Sequence, residues 1–342
     1  MSLVEAERKL GFESRLITLG GKQQGREGDV TLNLPLLDSS AVRAVKRLVT
    51  PKARRTVTNQ LNIPDEIPLV FQPGNPLEAA LFSLREKLWR RGILEQLRAI
   101  SMESFDLIQL DGGLGFFRDG RIVTRLKMEG KKVICLYTGS DLRTRGVIPA
   151  IDAIADLNVT VEIDHLKLHP GIHHVPFPLN MDKFSEYQSP SKSKGPLLIG
   201  HAPTNRLAKG TGRIIEVVRA LEKRYPVSLM LIEGMPYDRA IALKSRCHIF
   251  IDQLGDLGYG LNGVEALALG IPTCTSLAEG FAGHYPDHPF IEADEKSLES
   301  VLTRLIENRA LRSRHAERSI QWVRQTHDSR SVVNKIHRLA GI

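Results

Sequence analysis

The sequence predicts an α/β protein built on parallel sheets with helices on both faces. Three observations lead there. Short, continuous apolar runs recur along the chain, the mark of strands buried on both sides. Amphipathic stretches of helical length separate them, giving a repeated strand, turn, helix rhythm. The composition fits a globular chain with room for two domains: 342 residues, 42% hydrophobic and 25% charged. No apolar run approaches the ~18 residues of a membrane-spanning helix, and no secretory signal heads the chain.

The elements follow in order. AERKLGFESRLITL (6–19) reads as a helix and then a strand. An open α/β domain ordinarily starts with a buried strand and a glycine-rich turn, so a first strand is expected to be missing. Asn75-Pro76-Leu77-Glu78 starts a helix, with an N-cap, a proline at the first helical position and a glutamate closing a capping box. FDLIQL (105–110) and KVICLY (132–137) read as buried strands, as do PLLIG (196–200), SLMLIE (228–233), CHIFID (247–252) and GIPTC (270–274). Gly210–Tyr225 reads as a helix with Ile214, Val217, Val218, Leu221 and Tyr225 on one face, stopped by Pro226. The last forty residues read as helical. SEYQSPSKSKGP (185–196) is the best linker. The organisation expected is a first domain over 1–180, a second over 181–325 and a terminal helix over 326–342.

Charge narrows the partners. Forty-seven Lys and Arg against 39 Asp and Glu give a net charge of +8, which suits phosphates, an anionic membrane face or nucleic acid. Only 6% of the chain is aromatic and no nucleic-acid motif occurs, so nucleic acid is set aside. AVRAVKRLVTPKARR (41–55), with Val42, Val45, Leu48 and Val49 on one face, and LREKLWRRG (84–92), with Trp89, read first as surface helices with a core-facing stripe. Contact with anionic lipid is the second reading. In DHLKLHPGIHH (164–174), His165 and His169 have a zinc-compatible spacing, but Pro170 breaks any helix and no catalytic glutamate accompanies them. A loop and strand edge with satisfied histidines is expected instead. Cys135, Cys247 and Cys274 read as reduced core residues of a cytoplasmic protein.

Chemistry concentrates in 197–282. LLIGHAPTNRLAKGTG (197–212) is a strand emptying into a polar loop and a helix, with His201, Thr204, Asn205, Arg206 and Lys209 in the loop. Cations beside a helix N-terminus suit a diphosphate. IDQLGDLGYGLNGVEALALGIP (251–272) is a strand ending at Asp252, a glycine-bearing loop and a short helix opening at Asn262. Here Glu265 either closes a capping box with Asn262 or accepts two ribose hydroxyls, while the amides of Tyr259, Gly260 and Leu261 face a phosphate.

These two stretches resemble the donor half of GT-B glycosyltransferases, in particular the retaining family four (glycosyl transferases group 1). Its pattern is a basic residue and K-G before a helix, then E-x7-E and E-A-x-A-x-G-x-P. Gly260, Glu265-Ala266, Ala268, Gly270 and Pro272 fall in register, while Arg206 stands closer to Lys209 than the family's arginine–lysine spacing. GSDLRTRGVIPAID (139–152), VPFPLNMDKF (175–184) and WVRQTHD (322–328) resemble the family's acceptor-side segment, its exit into the second domain and its crossover back. Three positions depart: Leu257, beside Asp256, replaces the first glutamate; His201 stands where an arginine is usual; Thr138 precedes Gly139 where a histidine is often found.

The resemblance implies two Rossmann-like domains facing a cleft, with a C-terminal helix crossing back to the first. It implies transfer of a sugar from a nucleotide-diphosphate donor, with uridine the expected base, to a glycan or lipid-linked acceptor, with retention, at the cytoplasmic side of a cell-surface pathway. Arg206 and Lys209 would neutralise the diphosphate in place of a metal, and no D-x-D motif occurs. His201, Thr204, Asn205, Tyr259, Gly260, Leu261 and Glu265 would bind the donor. Asp111, Gly112, Gly113 and Arg143 would line the acceptor side, with Asp141 as a catalytic candidate. The alternatives are a non-catalytic nucleotide- or sugar-binding protein of the same fold and a sugar-nucleotide epimerase.

Overall fold

The structure is a computed structural model of the chain, and it describes residues 2–20, 28–35, 67–187, 195–255 and 258–342. The basic segment 41–55, residues 188–194 of the linker, and Asp256 and Leu257 lie outside the described residues. Eleven strands are described: β1 Ile17–Thr18, β2 Val30–Thr31, β3 Leu107–Asp111, β4 Lys132–Tyr137, β5 Leu157–Thr160, β6 Ile172–His174, β7 Leu197–His201, β8 Val227–Leu231, β9 Ile249–Ile251, β10 Thr273–Thr275 and β11 Ile291–Glu292. Every pairing is parallel. The first domain holds a sheet of order β3-β4-β5-β6, the second a sheet of order β11-β10-β9-β7-β8, and β1-β2 stand apart as a small pair.

The strand KVICLY shows why the pattern is continuous rather than alternating. Val133, Cys135 and Tyr137 enter one core with Ile93, Leu97, Val123 and Leu126 from the helices Pro76–Ala99 and Arg121–Met128. Ile134 and Leu136 enter the other. That second face is covered from far away in the chain. Leu3 and Ala6 of helix Ser2–Lys9 and Val332, Val333, Ile336 and Ala340 of helix Ser329–Ala340 lie on it, beside Leu157 and Val159. Both faces of the strand must therefore be apolar. In the second domain, helix Thr211–Glu222 buries Ile214, Val217, Val218 and Leu221 as its spacing predicts. It stops three residues before Tyr225, whose hydroxyl donates instead to Glu307 at 2.6 Å.

The start of the 76–99 helix is also as read, with one difference. Asn75 Oδ1 accepts from the Glu78 N–H at 2.8 Å, but the Glu78 carboxylate reaches one residue further back than a standard capping box, to the Gly74 N–H at 2.6 Å. Trp89, Ile93 and Leu97 are its core stripe, and the Trp89 indole donates to the Pro35 carbonyl at 2.8 Å. The histidine-rich stretch forms a tight turn, Ile163–Lys167, and then β6. His165 bonds Thr160 Oγ1 at 2.8 Å and the Gly139 carbonyl at 3.1 Å, and His169 bonds Asp152 at 3.0 Å.

The chain crosses between the domains twice, and the two crossings run side by side. The Leu179 N–H donates to the His327 carbonyl at 2.8 Å, and the Ser329 N–H donates to the Leu179 carbonyl at 2.9 Å. His327 Nδ1 donates to the Phe177 carbonyl at 2.9 Å. Around them pack Phe177, Tyr259, Phe281, Tyr285, Phe290 and Trp322.

Buried histidines make the fold acid-sensitive, His327 and His165 among them. Burial pushes the His327 pKa down to about 4, and burial together with Arg143 does the same to His165. Each stays neutral in the folded chain but takes up a proton in the unfolded one below pH ~6.5, so stability falls by about 1.4 kcal/mol per pH unit per histidine between pH ~6.5 and ~4. Glu162, raised to about 6 by burial, opposes this only in part. Urea denaturation should show this loss on going from pH 7.5 to pH 5; a flat profile would refute the buried neutral state.

Candidate functional site

In open parallel sheets, ligands gather beyond the C-terminal ends of the strands. Three adjacent strands of the second domain, in the order β8-β7-β9, end in charged residues there. The loop after β7 carries Arg206 and Lys209, Glu233 follows β8, and Asp252 follows β9. Arg206 pairs bidentately with Glu233, at 2.9 and 2.5 Å. Lys209 Nζ lies 2.9 Å from Asp252 Oδ1. Asp252 is fully buried, and its second oxygen accepts the Gly260 N–H at 2.6 Å. One carboxylate thus fixes both the cation and the glycine loop. A Cβ at Gly260 would stand 2.6 Å from Lys209 Nζ and 2.9 Å from Asp252 Oδ2, so the close approach demands glycine.

Several sequence expectations change at this point. His201 is completely buried, with Nδ1 bonded to the Ile251 carbonyl at 2.8 Å and Nε2 to Thr211 Oγ1 at 2.9 Å. Both ring nitrogens are spent tying β7 to β9 and to the helix start, so the ring is not a ligand for a donor. The Gly260 amide is likewise taken, by Asp252. Asn205 caps its own turn, Oδ1 accepting from the Leu207 and Ala208 N–H groups at 3.1 and 3.2 Å. Thr204 and Leu261 are exposed at the site, whereas Tyr259 is buried in the aromatic cluster. Burial, with Tyr285 and Glu162 adding, pushes the Tyr259 phenol well up. The helix Leu261–Ala268 is capped by Gly260, which places Asn262 inside it and removes the Asn262–Glu265 capping box. Glu265 is buried and paired with Lys244 at 2.5 Å instead.

On the first domain, the turn after β3 and the turn after β4 interlock. Gly112 and Gly113 both have positive φ, and a Cβ on Gly113 would lie 2.5 Å from the Tyr137 hydroxyl. Asp141 Oδ2 accepts the Thr138 N–H at 2.9 Å and Oδ1 pairs with Arg145 at 3.4 Å, so Asp141 caps its polar turn. Asp111 is exposed at the end of β3. Arg143 turns away from these residues and forks onto Asp164 at 2.6 and 2.5 Å, with Glu162 at 3.1 Å. Burial opposes the Arg143 charge, but Asp164 and Glu162 hold its pKa above the usual value. Arg143 is therefore a brace within the first domain. Sequence reading missed Glu233, Asp252, Lys244, Arg145, Glu162 and Asp164. The one available signal was position, since Asp252 closes a strand run. Among the described residues, no three His, Cys, Asp or Glu side chains converge as metal ligands.

No protein-family model matches the sequence, and no curated protein matches it. Solved structures do. HepE of Anabaena, in complex with UDP, matches over 79% of this chain and 90% of that one, with TM-score 0.52 and 12% identity. Sucrose-phosphate synthase of Thermosynechococcus elongatus matches over 81% and 86%, with TM-score 0.50 and 13% identity. The chain has the GT-B fold. The catalytic domain of starch synthase IV from Arabidopsis thaliana, bound to ADP and acarbose, matches over 75% and 76%, with TM-score 0.50 and 11% identity. In this GT-B frame, the Arg206–Glu233 and Lys209–Asp252 pairs stand at the C-terminal rim of the second sheet and the Asp111–Gly113 and Asp141 turns at that of the first.

Asp252 is the member whose loss should be felt most. Asp252→Ala leaves the Lys209 charge without its partner and frees the 260 loop, and is expected to cost about 3 kcal/mol in urea denaturation. Lys209→Met in the same chain should recover part of that loss. Equal stability of Asp252→Ala and wild type would refute the arrangement.

Proposed function

We propose that this protein is a glycosyltransferase that moves a sugar from a nucleotide-diphosphate donor, a UDP-sugar, to a glycan or lipid-linked acceptor in cell-surface polysaccharide synthesis. The observation that carries the reading is the pair of cations, Arg206 and Lys209, at the strand ends beside the N-terminus of helix Thr211–Glu222. The chemistry they support is electrostatic. As the glycosidic bond breaks, negative charge grows on the leaving diphosphate, and preorganised cations stabilise it without a divalent ion. Lys209 is held in place by Asp252. Arg206 is more than half exposed, and an ion pair open to solvent is weak, so a diphosphate can draw its guanidinium off Glu233. Glu265 receives the ribose, Thr204 and Leu261 border the donor, and Asp111, with the Gly112-Gly113 turn, faces the acceptor. Transfer proceeds with retention, as the family resemblance implies.

The competing reading is a nucleotide- or sugar-binding protein without turnover, and Leu257 in place of the motif's first glutamate favours it. A thermal-shift panel with UDP, ADP, GDP and dTDP tests the donor site. One nucleotide at 100 times its dissociation constant should add about 2.7 kcal/mol of stability. Arg206→Ala and Lys209→Ala should abolish the shift, and chelator should leave it unchanged. No shift with any nucleotide would sink the donor reading. A shift without nucleotide release from the donor sugar would leave the binding protein.

Peripheral contact with an anionic membrane on the cytoplasmic side completes the proposal. No helix among the described residues is long and apolar enough to cross a membrane. The 76–99 helix nonetheless exposes Leu77, Leu84 and Leu88 on one face, at 61%, 56% and 50%, with Lys87 and Arg91 alongside. Leucines at the acyl boundary and cations at the headgroups are the interfacial arrangement. Sedimentation with vesicles containing phosphatidylglycerol should capture the protein and lose it on Leu84→Ser with Leu88→Ser; equal capture by neutral vesicles would refute the charge component.

A further inference from the structure

Lys244, the last residue of helix Tyr237–Lys244, is 1% exposed. Its ammonium meets three oxygens: Glu265 Oε2 at 2.5 Å, Asn262 Oδ1 at 2.8 Å and the Asn262 carbonyl at 3.4 Å. The Phe250 ring lies 5.2 Å from Nζ. Three N–H donors thus face three acceptors, and the lysine is saturated. Glu265 is not, for its other oxygen accepts no hydrogen bond from a described residue. Asn262 Nδ2 donates to the Ala202 carbonyl at 2.9 Å, which ties the first turn of the 261–268 helix to the chain just beyond β7. The ion pair sits one turn below Leu261, which is 42% exposed at the donor site.

A buried ion pair is a poor stability device, because two apolar side chains of similar size serve as well or better. What it does that an apolar pair does not is hold a carboxylate in one rotamer with one oxygen unspent. We propose that Lys244 is a positioning residue for nucleotide recognition. It holds the Glu265 carboxylate in place so that the unspent oxygen accepts a ribose hydroxyl, and through Asn262 it holds the helix start against the loop that carries Arg206 and Lys209. This rests on the donor-site reading above. The recognised feature is the ribose of a nucleoside diphosphate, whatever its base.

The test compares UDP with 2′,3′-dideoxy-UDP, and ADP with 2′,3′-dideoxy-ADP, by calorimetry on wild type, Lys244→Met and Lys244→Gln. A hydroxyl bonded to a charged acceptor is worth roughly tenfold or more in affinity, so wild type should prefer the ribonucleotide by at least about that factor. In either variant the preference should fall below about threefold, while the diphosphate still binds better than the nucleoside. A merely structural lysine would weaken both members of a pair equally and leave their ratio intact, and that result overturns the proposal. Lys244→Gln, close in length and neutral, decides the matter if Lys244→Met does not fold. A wild type that binds the diphosphates without preferring ribose removes the role given to Glu265 and Lys244 but leaves the phosphate site. A wild type that binds neither ribonucleotide removes the donor-site reading and this role with it. The double variant Lys244→Met/Glu265→Met should melt no lower than wild type and show no preference; a large fall in melting temperature would make the pair a stability element instead.

Discussion

Everything in this molecule depends on how two strands of chain pass between its domains. Residues 177–179 and 327–329 lie together, joined by backbone hydrogen bonds on both sides of Leu179 and by the buried His327 ring. Paired crossings restrict relative movement of the domains to bending about one line. The aromatic cluster around them adds a second restriction. Tyr259 belongs to the loop after β9, Phe177 to the exit from the first domain, and Trp322 to the return, and all three pack in one place. The loop that leads to Gly260 is thereby packed directly against the crossings.

The C-terminal rim of the second sheet follows a consistent electrostatic plan. Each cation that faces the site has a carboxylate partner from a neighbouring strand, and the partners differ in how tightly they hold. Asp252 is buried and binds two elements at once, so Lys209 is a fixed feature. Glu233 is partly exposed and binds Arg206 alone. Of the two cations, the one with freedom to move is the one with the weaker partner. On the first domain the same logic gives the opposite outcome: Arg143, clamped by Asp164 and Glu162 away from solvent, is lost to ligands and becomes part of the scaffold.

The fold was largely legible because its strands carry short, mostly apolar runs. KVICLY and PLLIG lie inside their sheets and are continuous, while FDLIQL and SLMLIE at sheet edges and CHIFID between neighbours keep enough apolar residues for local sequence to reveal them. β5 was missed because LNVT mixes polar residues into the run, and β6 and β11 because two or three residues carry too little pattern to read. The site was legible only by half. Arg206, Lys209 and Glu265 could be named from sequence as candidates, but what each one touches could not, because partners such as Asp252 and Lys244 are set by strand order and helix packing and lie dozens or a score of residues away. Side-chain chemistry suggested ligands for His201; only burial showed both its nitrogens to be spent on the protein itself.

The return of helix Ser329–Ala340 to the first domain has a consequence for how the protein is made. One face of the first sheet is covered by residues 332–340, so the domain that emerges first from the ribosome completes its core last. Until those residues arrive, Ile134, Leu136 and Val159 face water, and the second domain, whose core is formed from residues nearer together in sequence, has the opportunity to close before them. The growing chain thus carries an exposed apolar sheet through most of its synthesis, the state in which a nascent protein is most open to chaperones and to aggregation.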